Sequence, residues 1–257
     1  MAEYCIGTAQ FGMHYGIANK SGQPELHETN KIIKCAIENN IIYFDTAQSY
    51  EDSETVLGEA FSRLPDVKKI RVISKLSPDL QETSSTTIVE SVRSSLKKLN
   101  VKSLYGFLAH RVEPIKSDSF LTAIEILKNE ELVIKAGVSV YTPEEALSVI
   151  KQTEVDILQI PFNILDKRWF DKGIFEKAEE SNIQLFFRSI FFMMSYTKNP
   201  IDSIAARMIS FFVAFSRPIF TVPNPLFQYG AAIPVKPGIK IPFVISSIHR
   251  SCQTMSL

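Results

Sequence analysis

The chain has 257 residues, 45% of them hydrophobic, with 28 basic and 28 acidic side chains. This is the content of a well-cored globular protein, and the cancelled charge announces neither a nucleic-acid-binding face nor an acidic tail. Cys5, Cys35 and Cys252 form no C-x-x-C pair, no basic stretch leads an apolar N-terminal run, and no segment reaches about 18 apolar residues, so a cytoplasmic protein without disulfides or a membrane span is expected.

Seven short apolar, β-prone runs follow one another: Tyr4 to Thr8, Ile41 to Asp45, Ile70 to Lys75, Leu104 to His110, Lys135 to Val140, Asp156 to Phe162 and Ile183 to Ser189. Between them lie helix-patterned segments at residues 28–40, 53–64, 86–100, 119–131, 142–152 and 175–182. Start signals include Ser53 before Glu54, and Thr142 before Pro143 with Glu145 three residues on. In the third segment Ile88, Val92, Leu96 and Leu99 fall on a single helical face. The strands read as continuous apolar runs, so both of their faces are expected to be covered, as in a parallel sheet flanked by helices.

Two architectures fit this alternation, a closed (β/α)8 barrel and an open doubly wound sheet. Seven βα steps in this length favour the α/β (β/α)8 (TIM) barrel, and "GTAQFG" at Gly7 to Gly12 is neither the G-x-G-x-x-G turn of the open sheet nor a Walker loop. The eighth unit is open. Asp202 is the last acidic residue and six prolines fall between Pro218 and Pro242, which marks residues 203–257 as a different kind of segment. "IDSIAARMISFFVAF" could supply the seventh helix, and either "IFTVP" or "IPFVIS" the eighth strand.

On such a barrel the C-terminal strand ends converge on one mouth, where polar side chains carry chemistry. Asp45 ends the second strand, Tyr50 follows in its loop, Lys75 ends the third and His110 the fourth. Singly, each has an ordinary structural explanation: a cap, a surface aromatic, a solvated lysine, a hydrogen-bonded histidine. Together they suggest proton donation to a carbonyl. A phenol with a pKa of about 10 is a poor acid near neutrality, and a neighbouring ammonium would lower that value. Lys75 would supply the charge, Asp45 would hold Lys75, and His110 would orient the substrate oxygen. His14, His27 and His249 are scattered, so no metal site is expected, and no G-x-S-x-G signature appears.

The pieces "GTAQFG", "FDTAQSYEDSE", "ISK", "LAH", "GVSVY", "LQIPFN" and "FFRSIF" occur in an order and spacing that resemble the aldo/keto reductases, over residues 4–192. The resemblance is strongest to bacterial members with an "RSIF"-type seventh strand, and the C-terminus looks divergent or truncated. It implies one barrel domain over residues 1–257 that binds NADP(H), or else NAD(H), and reduces an aldehyde or ketone. It also implies Tyr50 as proton donor with Asp45, Lys75 and His110 as partners, and Ser139, Gln159, Arg188 and Ser189 as cofactor-binding residues. Asn163 belongs to the same matching pieces. Arg188 stands where many members place an aromatic ring on the nicotinamide, Glu51 where glycine is usual, and Val140 where asparagine is common. No copy of the family's adenosine-phosphate site is visible in the tail. The resemblance favours a monomer or weak assembly acting on a small carbonyl compound, and Phe11, Tyr15 and Phe191 near the mouth suggest a partly apolar one. A member that has lost turnover and serves as a nucleotide-binding or regulatory protein is the second reading.

Overall fold

The computed structural model describes residues 3–15, 19, 22–80, 84–152, 155–162, 166–188 and 242–245. Eight parallel strands close into a barrel in chain order: β1 (Glu3–Gly7), β2 (Tyr43–Asp45), β3 (Arg71–Lys75), β4 (Leu104–Ala109), β5 (Val133–Ser139), β6 (Ile157–Pro161), β7 (Gln184–Arg188) and β8 (Pro242–Ile245). All seven expected strands form within a residue or two of their expected bounds. The last strand comes from the "IPFVIS" run. It pairs with β1 from Glu3↔Pro242 to Ile6↔Ile245 and meets β7 at Phe187↔Phe243. "IFTVP" and the expected seventh helix lie outside the described residues.

Helices fill the outer ring: α1 (Ala9–Gly12), α2 (Leu26–Glu38), α3 (Ser53–Phe61), α4 (Ser85–Leu99), α5 (Asp118–Asn129), α6 (Pro143–Gln152), α7 (Arg168–Asp171) and α8 (Ile174–Glu180). Their starts follow local chemistry. Ser84 accepts from Thr87 N–H at 3.2 Å, and Ser117 from Phe120 N–H at 3.2 Å. As expected, the Thr142 hydroxyl accepts from Glu145 N–H at 3.2 Å, while the Glu145 carboxylate accepts from Tyr141 N–H at 2.7 Å. The α4 face is the one read from spacing: Ile88, Val92, Leu96 and Leu99 are all buried against the barrel. Each contributes about 1.5–3 kcal/mol by leaving water, and together they dock the helix. Ser53 is a correction. It sits inside α3 rather than capping it, and its buried hydroxyl donates to the Thr8 carbonyl at 2.9 Å. The same oxygen lies 2.9 Å from the Thr8 hydroxyl and 3.0 Å from that of Thr46, which clamps the ends of β1 and β2 to α3.

Period-2 geometry divides each strand between two cores. Ile6, Phe44, Val72, Phe107, Val138, Leu158 and Phe187 face outward into the large strand–helix core. Cys5, Tyr43, Ile73, Leu108, Ile157 and Phe186 pack on one another inside the barrel. β5 adds only a glycine to this inner layer, because a Cβ on Gly137 would stand 2.1 Å from the Ile157 carbonyl oxygen. Two residues further along each strand the chain reaches the next inward layer, and that layer is the mouth.

Candidate active site

Adding two to each inner-layer position gives Gly7, Asp45, Lys75, His110, Ser139, Gln159 and Arg188. These seven, with Thr8, Ala9, Tyr15, Tyr50 and Tyr141, line a cleft of about 260 Å³ at the C-terminal end of the barrel. The cleft therefore collects residues from seven strands that are up to 181 positions apart in sequence, Gly7 to Arg188.

At its floor Lys75 Nζ donates to Asp45 Oδ1 at 2.6 Å and to the Thr46 carbonyl at 2.9 Å. Both side chains are almost fully removed from solvent, at 2% and 7% exposure. Gln159 Nε2 donates to the same Asp45 oxygen at 3.0 Å, which fixes the amide with its own oxygen turned elsewhere; that oxygen is buried and has no partner among the described residues. The Tyr50 ring centroid lies 5.4 Å from Lys75 Nζ, and the His110 ring meets Tyr50 edge-on at 6.4 Å between centroids. The expected quartet is thus brought together.

The electrostatics depart from expectation at the phenol. Lys75 exerts the largest single influence on Tyr50 and favours its phenolate, but burial together with Asp45 and Tyr15 outweighs it, so the Tyr50 pKa is raised above its ordinary value instead of lowered. Burial is the larger of the opposing causes, and Asp45, paired with Lys75 at 2.6 Å, offsets part of the ammonium charge that Tyr50 would otherwise feel. Burial pulls the Lys75 pKa down, yet Asp45 and Tyr50 more than offset it and leave it raised. His110 is lowered to about 4, chiefly by burial and then by Lys75, so its imidazole is neutral near pH 7.

The aldo/keto reductase family model matches residues 3–206. The chain belongs to that family. Similar solved structures include a candidate aldo-keto reductase from Pseudomonas aeruginosa, 22% identical with a TM-score of 0.65, matched over 82% of this chain and 79% of that one. An aldo-keto reductase from Bacillus halodurans in its holo form is 21% identical with a TM-score of 0.61, over 77% of this chain and 65% of that one. An aldo-keto reductase from Bombyx mori in complex with NADP is 19% identical with a TM-score of 0.56, over 72% of this chain and 61% of that one.

Within this family member, Ser139 and Gln159, register partners on β5 and β6, and Arg188 all line the cleft, whereas Ser189, Asn163 and Phe191 lie outside the described residues. Phe11 is a core residue rather than part of the mouth, while Tyr15 does line it. Tyr141 was not singled out by its sequence context, although it directly follows the "GVSV" strand end that carries Ser139. Gly12, the last residue of "GTAQFG", permits α1 to lie against the tyrosine loop, since a Cβ there would stand 2.0 Å from the Tyr50 carbonyl oxygen.

Glu51 keeps the loop conformation its position demands, with φ of 44°. A non-glycine residue is strained in that region, so Glu51→Gly is expected to raise the unfolding free energy by about 0.5–1 kcal/mol, measurable by urea denaturation. An unchanged or lower midpoint would show that the loop carries no such strain.

The His110 shift sets a second expectation. Its folded value of about 4 lies below the ordinary 6.5, so the unfolded chain takes up a proton that the native site refuses. The His110 contribution to stability should then fall as pH drops from 6.5 towards 4 and be constant below that. The loss is about 1–2 kcal/mol after allowance for solvent at this half-buried ring. Melting curves of wild type and His110→Gln across this range check it, since the variant should lose that part of the slope.

Proposed function

We propose that the protein is a carbonyl reductase that uses NADP(H), or else NAD(H), to convert an aldehyde or ketone to an alcohol, with Tyr50 as the proton donor. The observation that carries this reading is the buried Lys75–Asp45 pair set beside the Tyr50 ring and the neutral His110 in one cleft. A nicotinamide group fits the wall opposite. The unpartnered Gln159 oxygen can accept from a carboxamide N–H, and the Ser139 hydroxyl beside it can serve the carboxamide oxygen. The Bombyx mori relative was solved with NADP, which supports the same choice.

A reduced nicotinamide, when bound, supplies the hydride. The chain's own residues supply the rest. Tyr50, protonated near neutrality because its pKa is raised, holds the proton destined for the carbonyl oxygen. Lys75 favours the phenolate left behind, and Asp45 and the Thr46 carbonyl keep its ammonium in place. Neutral His110 hydrogen-bonds the substrate oxygen and orients it towards Tyr50. We also read the protein as cytoplasmic, in keeping with free thiols at Cys5 and Cys35. Among the described residues no helix is long and apolar enough to cross a membrane.

The reading is tested by following NADPH and NADH consumption with a panel of aliphatic, aromatic and dicarbonyl compounds. Saturable binding of a cofactor with no turnover of any carbonyl would favour the second reading, a nucleotide-binding protein without catalysis.

A further inference from the structure

We propose that Arg188 and Tyr141 form an oxyanion-binding subsite at the rim of the cleft, which takes a carboxylate or phosphate group of the ligand held there. The proposal rests on the reading of the cleft as a ligand site given above and adds the charge that the ligand must carry.

Among the described residues three charged side chains line the cleft: Asp45, Lys75 and Arg188. The first two neutralise each other at 2.6 Å, and His110 is uncharged near pH 7. Of the described lining, one net positive charge remains, and it sits on Arg188. Two other arginines do have carboxylate partners: Arg93 pairs with Glu90 and Glu130, and Arg168 with Asp166. Arg188 has no carboxylate among the described residues. Among the described residues its guanidinium makes one hydrogen bond, from Nη2 to the Val140 carbonyl at 3.1 Å, and its buried Nε finds no acceptor. A guanidinium has five N–H donors, so most of this one's capacity is unspent.

The group is also held rigidly. The guanidinium carbon lies 4.4 Å from the Tyr141 ring centroid, a cation–π contact that restrains the group together with the Val140 bond. Tyr141 itself is 49% exposed, which places the pair where the cleft opens. A half-buried, pinned fork with spare donors is preorganised for a planar carboxylate or a phosphate, whose oxygens would restore both its charge balance and its hydrogen bonds. Two sources offer that chemistry: an acidic group on the carbonyl substrate, and a phosphate of the dinucleotide.

Calorimetric titration of the full chain separates them, with 4-carboxybenzaldehyde, the near-isosteric neutral 4-methylbenzaldehyde, and NADPH as probes. If the oxyanion belongs to the substrate, wild type should bind the carboxylate about tenfold or more tighter than the methyl compound, and Arg188→Met should erase that preference. If it belongs to the dinucleotide, Arg188→Met should instead weaken NADPH by about tenfold or more. Arg188→Lys keeps a charge without the fork and should fall between wild type and Met; it carries the same test if the Met variant does not fold. Affinities of the variants within about twofold of wild type for all three probes, with no preference between the aldehydes, overturn the subsite. Every readout is binding, so an absence of turnover, which would defeat the proposed reaction, leaves this outcome separate.

Discussion

Tyr50→Phe is expected to lower carbonyl reduction by about 10²–10⁴-fold in kcat, the range for loss of a positioned general acid, while the fold and cofactor affinity stay near wild type. The substitution removes one oxygen from a partly exposed ring and leaves the edge-on contact with His110 and the Lys75 charge beneath the ring in place. Binding should therefore change little and the chemical step a great deal, so kcat should fall with KM nearly constant. The raised Tyr50 pKa adds a sign: the donor form persists through neutral pH, and reduction by wild type should lose no rate to Tyr50 ionisation until the pH exceeds the ordinary phenol value of 10. Stopped-flow and steady-state kinetics on the best substrate of the panel decide the matter. Full activity of Tyr50→Phe towards every accepted carbonyl would remove Tyr50 from the mechanism.

Lys75→Met should be the most destabilising single change at the site, by about 3–5 kcal/mol, because it strands the Asp45 carboxylate at the floor of the cleft with, among the described residues, the Gln159 amide as the one side chain left to answer it. The unpaired carboxyl can relieve part of that cost by taking up a proton, so the penalty should shrink as pH is lowered. Asp45→Asn is the mirror case and leaves a buried ammonium with the Thr46 carbonyl as its remaining partner. The double variant Asp45→Asn/Lys75→Met carries no buried charge, and its loss should be well below the sum of the two singles. Urea denaturation of the four proteins measures this coupling; simple additivity would mean that the pair is not a stability element. For wild type, the raised Lys75 pKa contributes stability that is complete below its ordinary value of 10.5 and is lost as pH rises through the folded value. All three substituted proteins should be inactive as reductases, since each removes the charge or the anchor that serves the Tyr50 phenolate.

The residues that shape the cleft divide by how far their signal reaches along the chain. Asp45, Lys75 and His110 were legible because each stands at or just past the C-terminal end of an apolar strand, and in a parallel barrel all such ends face one mouth, whereas Ser139, Gln159, which lies within β6, and Arg188 were legible through the family's motifs. In the folded barrel they share the inward face with Tyr43, Ile73, Leu108, Gly137, Ile157 and Phe186, two positions before them. The α4 face and the Thr142 start of α6 were equally local, as was the family, whose motifs lie within short stretches. Four features were not legible. The choice of Pro242–Ile245 as the closing strand depends on simultaneous pairing with β1 and β7, which lie 239 and 55 or so positions upstream. Ser53 reads as a cap until Thr8 and Thr46 are seen on either side of it. The direction of the Tyr50 shift turns on a balance between one ammonium, one carboxylate and burial, and the spare donors of Arg188 are apparent only once the surrounding side chains are placed. Sequence patterning thus determined which residues reach the mouth, because backbone periodicity is set by neighbours in the chain. Only the tertiary structure decided how they act on one another there, because Coulomb energies, desolvation and hydrogen-bond supply depend on distances across the barrel between strands remote in sequence.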